Sequence, residues 1–161
     1  MGVLSWLFGK PKAPIVVSPA PVPTSARMPS KSLPIALAGP GDFEHEVVGE
    51  SFYQDALDAI CGGKCEDGHE KQCTAILRPE PTNKYDKNAV AVVIEGRKVA
   101  HLSRDDAMEF HDDMRRLGLA GQEAMCNARI NGGWSRARKG GRTEEGHYGV
   151  ELDLEWPLTR A

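Results

Sequence analysis

Two prolines that interrupt a strand-like segment constrain the fold of this chain most. Residues 75–94 begin as an apolar run, pass through Pro79 and Pro81, and end in a second apolar run. Proline lacks the amide hydrogen that a helix or a central strand requires, so the two runs cannot form one element. The residues between them are predicted to form a surface loop held between two strands. Polar side chains on such a loop are typical of a binding site, and Tyr85 and Asp86 are the first candidates.

The chain divides by composition near residue 40. Residues 1–40 contain eight of the eleven prolines and four cations without an acid. Such a segment cannot bury enough apolar surface to fold, so a disordered Pro-rich tail is predicted. The formal charge of −3 minus the tail's +4 leaves −7 for residues 41–161, the single predicted domain. An acidic domain argues against sequence-blind coating of a phosphate backbone, because that function requires a basic face.

Residues 1–9 form a short apolar tip. The tip is shorter than a signal-peptide core and far shorter than a membrane span, so a membrane partner is not expected. Two alternatives stay open for it: an ordinary frayed terminus, or a peg that docks on a partner or on a membrane surface. Four unevenly spaced cysteines without a secretory signal indicate reduced thiols and a cytoplasmic protein.

Alternating apolar residues predict a mainly β protein of the α+β class, with six short strands and a helix inserted among them. The predicted strands cover residues 43–49, 73–77, 90–94, 99–102, 126–130 and 148–156. Ser51 and Gln54 have the form of a capping box before a short helix that ends at Gly62. Ser103 is predicted to cap the second helix, which ends at Gly118 and has an apolar stripe of Ala107, Phe110, Met114 and Leu117. Glu95-Gly96 is predicted to form a tight hairpin turn before the strand at residues 99–102. Six short strands of this kind are typical of a small curled sheet or barrel.

Three motifs carry a resemblance to a known family. They are Val47-Val48-Gly49-Glu50-Ser51-Phe52-Tyr53, Leu77-x-Pro79-Glu80-Pro81-x-Asn83-x-Tyr85-Asp86-x-Asn88-Ala89-Val90, and Val99-Ala100-His101-Leu102-Ser103. Over residues 43–157 the chain resembles the HIRAN domain, which stands at the front of Swi/Snf-type DNA-repair translocases and also occurs as a free-standing bacterial protein. Gly132-Gly133-Trp134 and Tyr148-Gly149-Val150 resemble elements of the free-standing type. The resemblance implies an OB-like β-barrel.

The resemblance also implies a module that binds the 3′ end of single-stranded DNA. Phe52 and Tyr85 would clamp the terminal base, and Asp86 would accept a hydrogen bond from the 3′-hydroxyl group. Other interpretations remain open for each residue. Tyr85 and Asp86 also suit an ordinary turn, and an aromatic residue beside a helix start, such as Phe52, is commonly packed in a core.

Polar contacts around the terminal nucleotide are implied for three further residues. Asn83 would bind the backbone or base, and His101 and Arg104 would meet the phosphate. His101 lies in an otherwise apolar strand, where a histidine held by the protein itself is the alternative. The eukaryotic relatives carry an arginine at the position of Ser51, so one phosphate contact is lost in this chain.

A basic loop from residue 132 to 145 offers a second surface. Its candidate nucleic-acid contacts are Trp134, Arg136 and Arg138, which would bind the DNA strand beyond its terminal nucleotide. A solvated surface loop is the alternative for the same residues.

Metal and catalytic chemistry receive little support from the sequence. Cys61, Cys65, His69 and Cys73 are spaced by four residues and are all potential zinc ligands. They lack the Cys-x-x-Cys pair that is typical of zinc sites, so no cofactor is expected and zinc is kept as the alternative. No Walker-type Gly-x-x-x-x-Gly-Lys-Ser/Thr run occurs, and no nucleophile with its base is recognisable, so an enzyme is not predicted.

The sequence therefore predicts a non-enzymatic module whose partner is the 3′ end of single-stranded DNA. The alternative is a protein-interaction adaptor on a HIRAN scaffold, in which the DNA pocket is degenerate and the apolar tip docks on a protein. The net charge of the domain and the serine at position 51 favour this alternative.

Overall fold

The computed structural model describes residues 32–161, and residues 1–31, with the apolar tip, lie outside the described residues. The described part is mainly β, with a curled antiparallel sheet and two α-helices. Its strands are β1 (Ile35–Ala36), β2 (His45–Glu46), β3 (His69–Pro79), β4 (Val90–Ile94), β5 (Arg97–His101), β6 (Ala124–Gly132), β7 (Ser135–Ala137), β8 (Thr143–Glu145) and β9 (Tyr148–Asp153). Its helices are α1 (Gln54–Cys61) and α2 (Arg104–Arg116), and a 3₁₀ turn (Glu50–Phe52) precedes α1.

The main sheet curls until its two ends meet. The strand order is β2-β9-β6-β3-β4-β5, and β1 adds to β6 in parallel. Val48, just beyond β2 at one end of this order, pairs with His101 in β5 at the other end. The backbone of each residue donates to the other, at 2.8 and 2.9 Å. This pair gives the sheet a barrel-like form, and it removes part of the open edge that an isolated sheet would expose.

One hydrophobic core fills the curled sheet. All five residues of β4 are buried, and β6 and β9 bury alternate residues as the period of a strand requires. The helices close the core with Leu57 and Ile60 from α1, and with Phe110 and Met114 from α2. The apolar stripe predicted for α2 is therefore confirmed.

The sequence predicts the N-terminal cap of α2 correctly but not that of α1. Ser103 accepts a hydrogen bond from the amide of Asp106 at 3.1 Å, so the predicted cap of α2 is confirmed. The predicted capping box of α1 is wrong, because Ser51 lies inside the 3₁₀ turn and caps nothing. The Gln54 amide instead accepts from the backbone N–H of Tyr148 at 2.8 Å and donates to the carbonyl of the same residue at 3.0 Å. A long-range contact thus replaces the local one.

Nine strands are formed within residues 32–161, whereas six were predicted. Ile35 and Ala36, which composition assigns to the tail, pair with Ala124 and Met125 of β6. β3 begins at His69, four residues before the predicted strand, because β6 offers a complete ladder of partners as far as Gly132. The basic loop contains the two-stranded ribbon β7–β8. No helix of the described part is long and apolar enough to cross a bilayer.

Candidate nucleic-acid interface

A surface groove of about 460 Å³ lies where the 80–89 loop, the end of β5 and the first turn of α2 meet. Its lining contains six of the residues that the sequence identifies as candidates: Phe52, Asn83, Tyr85, Asp86, His101 and Arg104. Val48, Ala89, Leu102 and Ala107 complete the lining. The structure therefore brings together residues that are spread over more than fifty positions of the sequence.

Two aromatic rings stand exposed on the groove. The side chains of Phe52 and Tyr85 are 86% and 92% exposed, among the most exposed large apolar residues of the described part. Phe52 belongs to the 3₁₀ turn before α1, and Tyr85 belongs to the 80–89 loop. A core position for Phe52, one of the alternatives from the sequence, is therefore wrong. Exposed rings of this kind, on one concave surface, suit stacking on a planar ligand.

Asn83 organises the loop that carries Tyr85 and Asp86. Its side-chain oxygen accepts hydrogen bonds from the amides of these two residues, at 2.9 and 3.2 Å. Its side-chain nitrogen donates to Glu80 at 3.1 Å. An asparagine that bonds to the backbone two and three residues later stabilises a tight turn. The geometry therefore assigns Asn83 to holding the loop, while the contact with nucleic acid that the resemblance implies stays a prediction.

Asp86 keeps acceptor capacity at the groove. One carboxylate oxygen accepts from the amide of Asn88 at 2.8 Å, as in an ordinary turn. The other oxygen accepts no hydrogen bond from any described residue, and Asp86 joins none of the ion pairs within residues 32–161. The side chain is half-buried in the lining of the groove. A carboxylate placed in this way accepts a hydroxyl hydrogen readily and repels an anion.

Glu80, which the sequence did not single out as a candidate, connects the 80–89 loop to β5. It accepts from Nε2 of His101 at 3.0 Å and from Nδ2 of Asn83, and it pairs with Lys98. Burial by itself would raise the pKa of this carboxyl group. The hydrogen bonds from Lys98, His101 and Asn83 outweigh burial and lower the pKa of Glu80 to about 2. Its place inside the 77–90 motif, beside two prolines, was the available signal.

Arg104 supplies a cation to the groove. It is the first residue of α2 and is exposed. The ion pairs formed within residues 32–161 do not include it. Its guanidinium group is therefore available to a ligand without breaking an internal salt bridge.

The basic residues of the β7–β8 ribbon lie apart from the groove. The ribbon leaves β6 at Gly132, which pairs with His69, whereas the 80–89 loop leaves the opposite end of β3. Its candidate contacts are engaged locally. The Arg136 guanidinium lies 5.2 Å from the ring centre of Trp134 and donates to the carbonyl of Glu66, and Arg138 pairs with Glu144 at 2.8 Å. The structure therefore does not bring Trp134, Arg136 and Arg138 into the candidate site.

Two of the four potential zinc ligands, His69 and Cys65, make other polar contacts. His69 bonds to the carbonyl of Gly63 at 2.8 Å, and Cys65 donates to the carbonyl of Gly68. Burial raises the pKa of the Cys61 thiol, and it raises the pKa of Cys73 to about 11, which disfavours the thiolate that zinc requires. Within the described residues no three side chains of His, Cys, Asp or Glu are grouped as a metal site.

Comparison of the chain with protein-family models, with curated proteins and with solved structures gives no match.

Proposed function

We propose that residues 32–161 form a non-enzymatic module that binds the 3′-hydroxyl end of single-stranded DNA in the groove. The observation that carries the proposal is the position of two rings, Phe52 and Tyr85, almost fully exposed on one groove that also contains Asp86. An exposed aromatic pair is costly to keep in water unless a ligand covers it. A nucleobase offers a flat apolar face to both rings, and stacking tolerates every base.

The polar residues of the groove fit the sugar and phosphate of the same nucleotide. Asp86 would accept the hydrogen of the terminal hydroxyl group through the oxygen that has no partner among the described residues. A terminal phosphate would place an anion against this carboxylate, so a free hydroxyl end is favoured. Arg104 would contact the adjoining phosphate. It is the first residue of α2, and the positive N-terminal end of the helix dipole also favours an anion there.

The expected affinity follows from the number of contacts. Each stacked ring contributes roughly 1–3 kcal/mol. A hydrogen bond to a charged group contributes roughly 1.5–3 kcal/mol. The entropic cost of ordering the DNA strand reduces this favourable free energy, so a dissociation constant on the order of micromolar is expected. The module would therefore hold an end only briefly unless a further contact adds to it.

The proposed function agrees with the resemblance of residues 43–157 to the HIRAN domain, which remains a prediction. An OB-like path of the strands is proposed on the same basis. A cytoplasmic location is proposed from the four free cysteines. The curled antiparallel sheet with its two ends paired at Val48 and His101 is compatible with that scaffold.

Comparing a linear with a circular single strand tests the proposal. Both carry the same sequence and an internal fluorophore, and fluorescence anisotropy gives their affinities. We expect the linear strand to bind in the micromolar range and the circular strand, which has no end, to bind at least tenfold more weakly. Equal affinities would contradict end recognition, and no binding of either strand below about 100 μM would contradict the DNA function.

A protein-interaction adaptor is the second candidate, and one observation favours it. Val48 is 47% exposed and lines the groove together with Phe52 and Tyr85, so the groove would also receive an apolar side chain of a protein. The apolar tip that the sequence offers for docking lies outside the described residues. Failure of both strands to bind, with a well-folded protein, is the outcome that supports the adaptor over the DNA module.

A further inference from the structure

A network of four side chains links β5 to the 80–89 loop. Lys98 and His101, both in β5, bind the two oxygens of the Glu80 carboxylate. Asn83 binds the same carboxylate and holds the amides of Tyr85 and Asp86 with its oxygen. An unbroken chain of contacts therefore runs from a fixed strand to the two loop residues of the proposed site.

The partner of His101 determines which of its ring nitrogens carries the hydrogen in this contact. An ionised carboxylate only accepts hydrogen bonds, so Nε2 of His101 carries the hydrogen in the contact with Glu80 at 3.0 Å. A neutral imidazole that uses this hydrogen has only an acceptor left, at Nδ1. An acceptor does not bind a phosphate oxygen. His101 lines the groove, yet it has no hydrogen left to offer a phosphate while it is neutral.

Lys98 is engaged in the same way. Its ammonium group pairs with Glu80, and Lys98 is not among the residues that line the groove. Lys84 and Lys87 are exposed on the 80–89 loop, but neither of them lines the groove. Arg104 is then the one permanent cation in the lining described above.

We propose that Glu80, by binding Lys98 and His101, makes both of them positioning residues and leaves Arg104 as the single phosphate contact of the groove. The proposal rests on the proposed function and narrows its ligand. The site takes one terminal nucleotide with one phosphate, and it does not follow a length of backbone. His101 acts by holding the loop, in place of the phosphate contact that the resemblance implies.

The salt dependence of binding distinguishes a phosphate contact from a positioning residue. Each phosphate contact with a single strand contributes about −0.7 to the slope of log affinity against log salt. With a short oligothymidine carrying a free 3′-hydroxyl, we expect a slope near −0.7 for the unmodified protein and near zero for Arg104→Gln. His101→Gln and Lys98→Gln should weaken binding several-fold and leave the slope unchanged. Lys87→Gln is the matched control for a nearby cation and should change neither quantity.

A slope of about −1.4 or steeper would overturn the proposal, since it requires at least two phosphate contacts. A loss of slope in His101→Gln as large as that in Arg104→Gln would also overturn it, because the phosphate contact would then belong to His101. The pH profile gives a third test. If affinity follows protonation of an imidazole in the unmodified protein and not in His101→Gln, His101 binds phosphate directly.

A measurement without nucleic acid tests the positioning role separately. NMR-detected amide exchange of the free protein should be faster at Tyr85 and Asp86 in Glu80→Gln than in the unmodified protein. Amides of β4, such as that of Ile94, should be unchanged and report an intact fold. Unchanged exchange at Tyr85 and Asp86 would overturn the positioning role. Faster exchange in a protein that binds no strand would leave the network standing and contradict the proposed function instead.

Discussion

Val48 and His101 exchange two backbone hydrogen bonds, at 2.8 and 2.9 Å, and so join the two ends of the sheet. The 3₁₀ turn that carries Phe52 begins two residues after Val48, and the network that holds Tyr85 begins at His101. The two rings reach one groove because the sheet closes at this pair. The candidate site is thus a consequence of the curl of the sheet, and it requires no special element of its own.

Removing either ring should weaken binding without weakening the fold. We expect Phe52→Ala and Tyr85→Ala each to reduce affinity for the strand by about 5- to 100-fold, since each stacked base contributes roughly 1–3 kcal/mol. The free energy of unfolding should change by less than about 0.5 kcal/mol, because both side chains are exposed. Met108→Ala removes an exposed apolar side chain outside this groove and is the matched control. Anisotropy titrations and urea unfolding provide the two measurements.

Glu80 should make the free energy of unfolding depend on pH in the acid range. The pKa of this group is lowered from 4.5 to about 2, so its contribution is fully present above pH 4.5 and is lost as the pH falls towards 2. A difference of this size corresponds to about 3 kcal/mol. We expect the unmodified protein to lose this much more stability than Glu80→Gln between pH 5 and pH 2, measured by urea unfolding at each pH. Parallel curves for the two proteins would contradict the contacts assigned to Glu80.

Alanine substitutions at two glycines with a left-handed backbone distinguish the cost of backbone strain from the cost of a steric clash. A Cβ at Gly133 (φ +66°) would overlap ring carbons of Tyr148, whose hydroxyl group donates to Asp58 at 2.8 Å. A Cβ at Gly140 (φ +92°) meets nothing. Gly140→Ala should therefore cost about 1 kcal/mol, the usual strain, whereas Gly133→Ala should cost about 3 kcal/mol or more because the buried ring must move. Equal losses in thermal unfolding would show that the ring yields without cost.

Local patterns predicted the parts of the fold that depend on neighbouring residues. The cap at Ser103 and the apolar stripe of α2 follow from spacings of three and four residues, and the structure confirms both. The Glu95-Gly96 turn between β4 and β5 has positive φ at both positions, 49° and 75°, as a tight hairpin requires. The proximity of Phe52 to the 80–89 loop was not contained in these patterns; it came from the family resemblance.

What the sequence failed to predict depends on long-range partners. The Gln54 side chain binds Tyr148, ninety-four residues away, and so displaces the expected capping box. β1 forms only because β6 offers its edge. Glu80 belongs to the 77–90 motif, yet its partners on β5 come close to it only when β3, β4 and β5 are paired. Periodicity carries no signal for contacts of this kind.

The most direct measurement of the central claim compares strands that end in a 3′-hydroxyl or a 3′-phosphate group, with the unmodified protein and with Asp86→Asn. We predict that the unmodified protein prefers the hydroxyl end by at least tenfold, because the phosphate meets the Asp86 carboxylate. In Asp86→Asn the preference should largely disappear, since an amide neither repels the phosphate nor binds the hydroxyl as strongly. Equal affinity of the unmodified protein for the two ends, or a preference that survives in Asp86→Asn, would contradict the account.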